Sequence, residues 1–205
     1  MRAARVVGRS AVLLEVGGHD EVAAWYAELT RRKDRGELTA VDIVPAARTV
    51  LIDGVTNPLE VAETLAKAAE PGRPEKGESQ LITVPTVYDG LDLADIAERW
   101  NTSPEGVVRR HQELEFEVAF CGFAPGFAYL TGLPPDLRVP RLDEPRVSVP
   151  RGSVALADEY TAVYPAASPG GWRLLGRTDL VLFDLDRDPP STFRPGARVR
   201  FEEAR

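Results

Sequence analysis

The chain has 205 residues, 43% of them hydrophobic, with 25 basic against 32 acidic side chains for a formal charge of −7. Those figures fit one large or two small globular domains, and the acidic balance argues against a nucleic-acid binder, which needs a dense basic face to displace counterions from phosphate. No apolar run reaches the ~18–20 residues of a bilayer span, and the single cysteine, Cys121, rules out an intrachain disulfide and a cysteine-based zinc site. Neither a signal peptide nor a membrane helix is expected, and the expected compartment is the cytoplasm.

Taken in chain order, Val12, Leu13, Leu14 and Val16 predict a strand. Asp20 is placed to cap a helix whose Val22, Tyr26 and Leu29 share one face and which Gly36 breaks. Val41 to Val44 and Thr49 to Ile52 predict two more strands separated by Pro45. Asn57-Pro58-Leu59-Glu60 reads as a helix start, with Asn57 as N-cap, Pro58 at the first position and Glu60 reaching back in a capping box, the helix running to about Ala69. The stretch from Glu70 to Ser79 holds no large apolar side chain to offset its ordering entropy and is the linker candidate. It divides the chain into a domain over 1–79 and a second over 80–205.

Beyond it a strand is predicted over Leu81 to Val87, then short helices over Asp92 to Trp100 and Ser103 to His111. The helix pair looks like a helix-turn-helix, but Asp92, Asp95, Glu98 and Glu105 make it a poor surface for DNA. From Leu114 to Cys121 the apolar period changes to two, a half-buried strand. Short apolar pieces follow at Val147 to Val149, Ser153 to Ala157, Thr161 to Tyr164, Trp172 to Leu175, Leu180 to Phe183 and Val199 to Phe201. Residues 122–196 hold 8 of the 17 glycines and 11 of the 17 prolines, which predicts a closed or sandwiched all-β module.

Chemistry-bearing motifs are few. There is no phosphate loop, dinucleotide turn or nucleophile elbow, and with His19 and His111 as the only histidines no metal site is expected. Cys121 with His111 is a conceivable nucleophile and base, although a small buried core cysteine is the plainer reading. His111 closes a helix, where it either caps carbonyls or serves the glycine-rich turn that follows. Arg141, Arg146, Arg151 and Arg177 lie in proline- or glycine-bounded segments, where a rigid backbone lowers the entropy lost when a guanidinium grips an anion. Trp172 and Tyr164 suit barrel packing or ligand stacking.

The ordered set Gly122-Phe123-Ala124-Pro125-Gly126-Phe127-Ala128-Tyr129-Leu130, Pro140-Arg141, Pro145-Arg146, Val149-Pro150-Arg151-Gly152-Ser153-Val154, Tyr164-Pro165 and Ser168-Pro169-Gly170-Gly171-Trp172, closing on Gly176-Arg177-Thr178, resembles the 5-oxoprolinase B-subunit family. That family is also called allophanate hydrolase subunit 1 and includes a Kip-type histidine-kinase inhibitor. The resemblance implies an α+β protein: a small α/β N-terminal domain followed by a cyclophilin-like β-barrel. It implies as partners a carboxyltransferase-like protein, of the type of allophanate hydrolase subunit 2 or the 5-oxoprolinase C subunit, with the A subunit as a possible third member. That assembly opens 5-oxoproline to glutamate at the expense of ATP. The alternatives it carries are a urea carboxyltransferase or allophanate hydrolase component and a kinase-binding module without chemistry. A prolyl isomerase, suggested by the barrel alone, is disfavoured because fold does not carry function.

On this reading His111 and Arg177 are the candidate catalytic residues, His111 as proton carrier and Arg177 as anion holder. Gly122, Phe123, Pro125, Gly126, Phe127, Tyr129, Arg141, Arg146, Ser153, Tyr164, Gly170, Gly171, Trp172 and Thr178 are the candidate substrate contacts. The segment Ala157-Asp158-Glu159-Tyr160-Thr161 departs from the family's usual glycine and glutamine and puts an acidic loop near the presumed site.

Overall fold

The computed structural model describes residues 2–72 and 81–204. The chain divides into two compact units, Met1–Glu78 and Ser79–Arg205; most of the linker candidate, from Arg73 onward, lies outside the described residues.

The first unit is a four-stranded antiparallel sheet with two helices. Strands β1 (Ala3–Val7) and β2 (Ala11–Glu15) form a hairpin, helix α1 (His19–Asp34) follows, then β3 (Asp42–Pro45), β4 (Thr49–Asp53) and helix α2 (Pro58–Lys67), giving the sheet order β1-β2-β4-β3. Val12, Leu14, Val50 and Ile52 alternate inward and meet Val22, Trp25 and Leu29 of α1 and Ala62 and Leu65 of α2, the period-2 against period-3.6 match that lets a sheet and a helix share one core. Trp25, rather than Tyr26, takes the buried position, because the 22, 25, 29 spacing centres the apolar stripe one residue earlier. Two cap expectations change. Gly18 precedes α1, and Asp20 lies inside its first turn. Asn57 makes no side-chain cap; its amide instead donates to Glu60 Oε2 at 2.8 Å. Strand β1, unmarked by apolar alternation, is fixed by pairing Val6 to Val12 and Ala4 to Leu14.

The second unit is built on a sheet that returns to itself. Its strands are β5 (Leu81–Thr86), β6 (Phe116–Cys121), β7 (Ala128–Thr131), β8 (Arg146–Val149), β9 (Ser153–Ala157), β10 (Tyr160–Val163), β11 (Ser168–Gly170), β12 (Arg173–Arg177) and β13 (Arg198–Glu203), with helices α3 (Leu93–Arg99) and α4 (Pro104–Glu113) between β5 and β6. Seven strands run β12-β9-β10-β7-β6-β13-β5, antiparallel except for the β13/β5 pair. Beyond β5, Val87 exchanges both backbone hydrogen bonds with Arg177 of β12 at 2.8 and 2.9 Å, so the last strand meets the first and the sheet becomes a nearly closed barrel, the arrangement that removes exposed edges.

Alternation along these strands separates two apolar clusters. Phe116, Val118, Leu130, Val154, Leu156, Val163, Leu175, Val199 and Phe201 share the inner core with Ile96 and Trp100 of α3 and its C-cap and Val107 of α4. Ala155, Ala157, Ala162, Tyr164 and Leu174 turn the other way, against Phe127, Val149 and Trp172. Covered on both faces, β9 is buried along its whole length. Strands β8 and β11 form a separate antiparallel ribbon. Ser103 caps α4 as its sequence predicts, accepting from the Gly106 N–H at 3.2 Å. Leu180 to Phe183, predicted as a strand, contributes only an isolated bridge from Phe183 to Ser191.

Candidate functional site

The Gly122–Gly126 segment is a tight turn between β6 and β7. Gly122 N–H bonds Phe127 O at 3.1 Å and Phe127 N–H bonds Ala124 O at 2.9 Å. Phe123 sits at φ 73° and is 64% exposed, a conformation that is costly for a bulky residue. Its ring leans edge-on against Phe127 at 5.2 Å.

Phe127 starts an aromatic array. Its buried ring makes edge contacts with Tyr129, Tyr164 and Trp172 at 5.1, 5.4 and 5.7 Å, and Tyr129 stacks on Phe120 at 4.4 Å and meets Tyr160 at 5.5 Å. Burial pushes the Tyr164 phenol above its ordinary range, with Arg141 and the Trp172 N–H pulling against it. Gly170 is required here by space: a Cβ would stand 2.3 Å from the Tyr164 hydroxyl oxygen. The neighbouring Gly171 offers no side chain, and its carbonyl accepts from the Leu142 N–H at 2.8 Å.

Of the four predicted arginines, Arg151 is exposed in the turn before β9, and the other three take different positions. Arg141 is exposed and lies over the Trp172 ring at 5.8 Å, a cation–π distance. Arg146 pairs with the buried Asp92 at 2.8 Å and reaches the Trp172 carbonyl at 3.3 Å; Asp92 also accepts from the Leu174 N–H at 2.7 Å. Arg177 pairs with Asp89 at 2.8 Å where the barrel closes. With Thr178, Pro85, Val87, Asp179, Leu180 and Ala204 it lines a cavity of about 240 Å³. Ser153 is buried, its carbonyl accepting from Tyr164 N–H at 3.0 Å, and Thr178 N–H bonds Gly152 O at 2.8 Å.

The structure thus brings Phe123, Phe127, Tyr129, Tyr164, Gly170, Gly171, Trp172, Arg141 and Arg146 into one region, with Gly122, Pro125 and Gly126 shaping its turn. Arg177, Thr178 and Ser153 belong to the strand ends around Gly152 and the closure.

His111 is fully buried under Phe116 and Phe201, with ring centroids at 5.2 and 4.6 Å. Its Nδ1 is 2.9 Å from the Tyr88 hydroxyl and its Nε2 has no partner among the described residues. Burial lowers its pKa to about 3, so the imidazole is neutral at physiological pH. Cys121 is half-buried with Sγ 3.7 Å from the Phe193 carbonyl, and burial raises its thiol pKa, the environment of an inert thiol rather than a nucleophile.

Sequence reasoning missed Asp92, Asp95 and Arg173. Arg173 pairs with Asp95 and donates to Pro140 O at 2.9 Å, contacts between residues 33 and 78 positions apart that no local pattern announces. It also missed Phe120 and Tyr160 as members of the aromatic array. The acidic Asp158-Glu159 pair is the turn between β9 and β10: Asp158 N–H bonds Val139 O at 2.7 Å and Glu159 pairs with Arg138 at 3.2 Å. Among the described residues no three His, Cys, Asp or Glu side chains converge as a metal cage, and no helix is long and apolar enough to cross a membrane.

The barrel and the small α/β unit that precedes it in the chain together match a carboxyltransferase-type domain. The chain belongs to the 5-oxoprolinase B-subunit family, its residues 2–193 matching the model of the carboxyltransferase domain, subdomain C and D. It is 42% identical over 168 residues to the 5-oxoprolinase B subunit from Escherichia coli O157:H7, covering 78% of this chain and 77% of that one. The crystal structure of TTHA0988 superposes with a TM-score of 0.79 at 34% identity, covering 95% of this chain and 40% of its own. This chain therefore spans two-fifths of that longer protein. The urea amidolyase of K. lactis shares the fold, with a TM-score of 0.73 at 21% identity over 99% of this chain and 15% of its own.

Proposed function

We propose that this chain is the B subunit of an ATP-dependent 5-oxoprolinase, working with a carboxyltransferase-like C subunit, and with the A subunit, to open the lactam of 5-oxoproline to glutamate. The observation that carries the reading is the 42% identity to a 5-oxoprolinase B subunit over 78% of the chain. A lactam carbonyl is a poor electrophile, so the share of such a protein is to position the ring and stabilise charge while ATP hydrolysis drives addition of water across the C–N bond.

The aromatic face from Phe123 to Trp172 with Arg141 and Arg146 is the proposed substrate surface, and Arg177 with Thr178 is a second, catalytic contact at the barrel closure. No ATP step is assigned to this chain. The buried, neutral His111 is likewise given no proton-transfer step.

The test is coexpression with the C and A subunits, followed by ATP-dependent assays on 5-oxoproline, urea and allophanate in parallel. Glutamate formation from 5-oxoproline that requires this chain is expected. An intact complex that turns over only urea or allophanate would replace the reading.

A further inference from the structure

The three arginines of the proposed site differ in what already occupies them. Arg146 is committed to the buried Asp92, whereas Arg177 spends only its Nε on Asp89 in an exposed pair. Arg141 forms no salt bridge with any described residue, although the chain has a surplus of carboxylates and Asp143 and Glu144 follow it almost directly.

Its backbone is nonetheless fixed on both sides. Pro140 O accepts from Arg173 Nε at 2.9 Å, and Arg173 is itself paired with Asp95; Leu142 N–H bonds Gly171 O at 2.8 Å. Pro140 further has its own φ fixed by its ring. The guanidinium is thus projected from an immobilised stem over Trp172 and within electrostatic reach of the Tyr164 phenol, with its fork of donors unspent. That combination, an unpaired arginine on a rigid support above an aromatic ring, lowers the entropy lost on gripping a planar anion.

We propose that Arg141 recognises the carboxylate of the substrate, with Arg146 held by Asp92 and Arg177 left to its contact at the barrel closure. This rests on the 5-oxoprolinase reading above and sharpens it to one side chain. The chemical class is a small-molecule carboxylate carried on a flat ring, the carboxylate in the fork and the ring toward the aromatic face.

The discriminating probe is 2-pyrrolidinone, which is 5-oxoproline without its carboxylate. In the reconstituted complex, Arg141→Gln is expected to raise KM for 5-oxoproline by about tenfold or more, the scale of one lost charge-assisted contact. Arg141→Lys should recover part of it, and 2-pyrrolidinone should compete equally weakly with both forms. An unchanged KM in an Arg141→Gln complex of normal yield overturns the assignment while leaving the 5-oxoprolinase reading in place.

If the wild-type complex does not act on 5-oxoproline, that reading falls and the site is judged on the full chain alone. Fluorescence of Trp172, isolated by comparison with Trp172→Phe, is then titrated with 5-oxoproline. A saturable change lost in Arg141→Gln supports the carboxylate site, and identical titrations of the two proteins overturn it.

Discussion

His111 shows how one buried side chain writes itself into the pH dependence of the whole fold. In the unfolded chain it titrates near 6.5, whereas in the folded protein burial holds it neutral down to about 3. Between those values the unfolded state binds a proton that the folded state does not, so stability falls as pH drops through that window and is unaffected by this group above it. One proton corresponds to a slope of about 1.4 kcal/mol per pH unit. Urea melts from pH 7 to 4 are therefore expected to show a shallower loss in His111→Gln than in the parent, whatever the offset in absolute stability. Parallel curves would remove His111 from the acid sensitivity. A second residue-scale effect lies at Gly152, whose φ is +80° and where a Cβ would stand 2.2 Å from the Thr178 carbonyl oxygen. Gly152→Ala should cost upwards of about 2 kcal/mol, strain and clash together. Gly196→Ala has φ +84° but no atom within 4 Å, and should cost only the backbone strain of about 1 kcal/mol. Equal midpoint shifts for the two in denaturant titrations would show that the close approach at Gly152 is relieved by movement.

At the scale of elements, helix α3 is tied to the barrel through carboxylates. Asp92 at its N-cap holds Arg146 of β8 with one oxygen and the Leu174 N–H of β12 with the other. Asp92→Ala leaves a half-buried guanidinium and a buried N–H without partners and is expected to cost about 3–5 kcal/mol. Arg146→Met in the same chain should recover part of that, because the uncompensated charge goes with it. A double-mutant cycle by chemical denaturation measures the coupling, and strict additivity would mean that the pair contributes nothing. These links also explain what could be read from the sequence. Strands with clean alternation, such as Phe116 to Cys121, and helices opened by Ser103-Pro104 or Asn57-Pro58 carry their signals locally. Strands β1, β7 and β11 do not, since Ala3 to Val7 is only partly buried and Ser168 to Gly170 is held by pairing with β8 rather than by apolar pattern. The aromatic and glycine motifs marked out the region around Phe127 and Trp172 because each turn demands its own residue types. Which arginines already hold an aspartate was not legible: the pairs with Asp92 and Asp89 span 54 and 88 positions.

For the molecule as a whole, the two units have separate apolar cores with no residue in common, and the second owes its closure to one seam. Val87 and Arg177 exchange two backbone hydrogen bonds there, and Gly176 permits the approach, since a Cβ at that position would stand 2.2 Å from Val87 O. Thr86 is already extended, so proline at 87 is sterically compatible with the residue before it, but it removes the donor to Arg177 O and leaves that carbonyl unpaired. Val87→Pro is therefore expected to destabilise the barrel by about 3 kcal/mol. Because Arg177 and Thr178 line the cavity beside the seam, the same change should disturb that contact while leaving the face around Trp172 in place. Hydrogen exchange followed by mass spectrometry reads both consequences. Amides of Leu81–Thr86 and Arg173–Arg177 should exchange faster in the variant, and those of Ala11–Glu15 and Thr49–Asp53, in the other unit's sheet, should keep their protection. A uniform rise across both units would mean that they unfold as one cooperative body, and an unchanged seam would mean that the barrel is held shut by its inner core and not by the Val87–Arg177 pair.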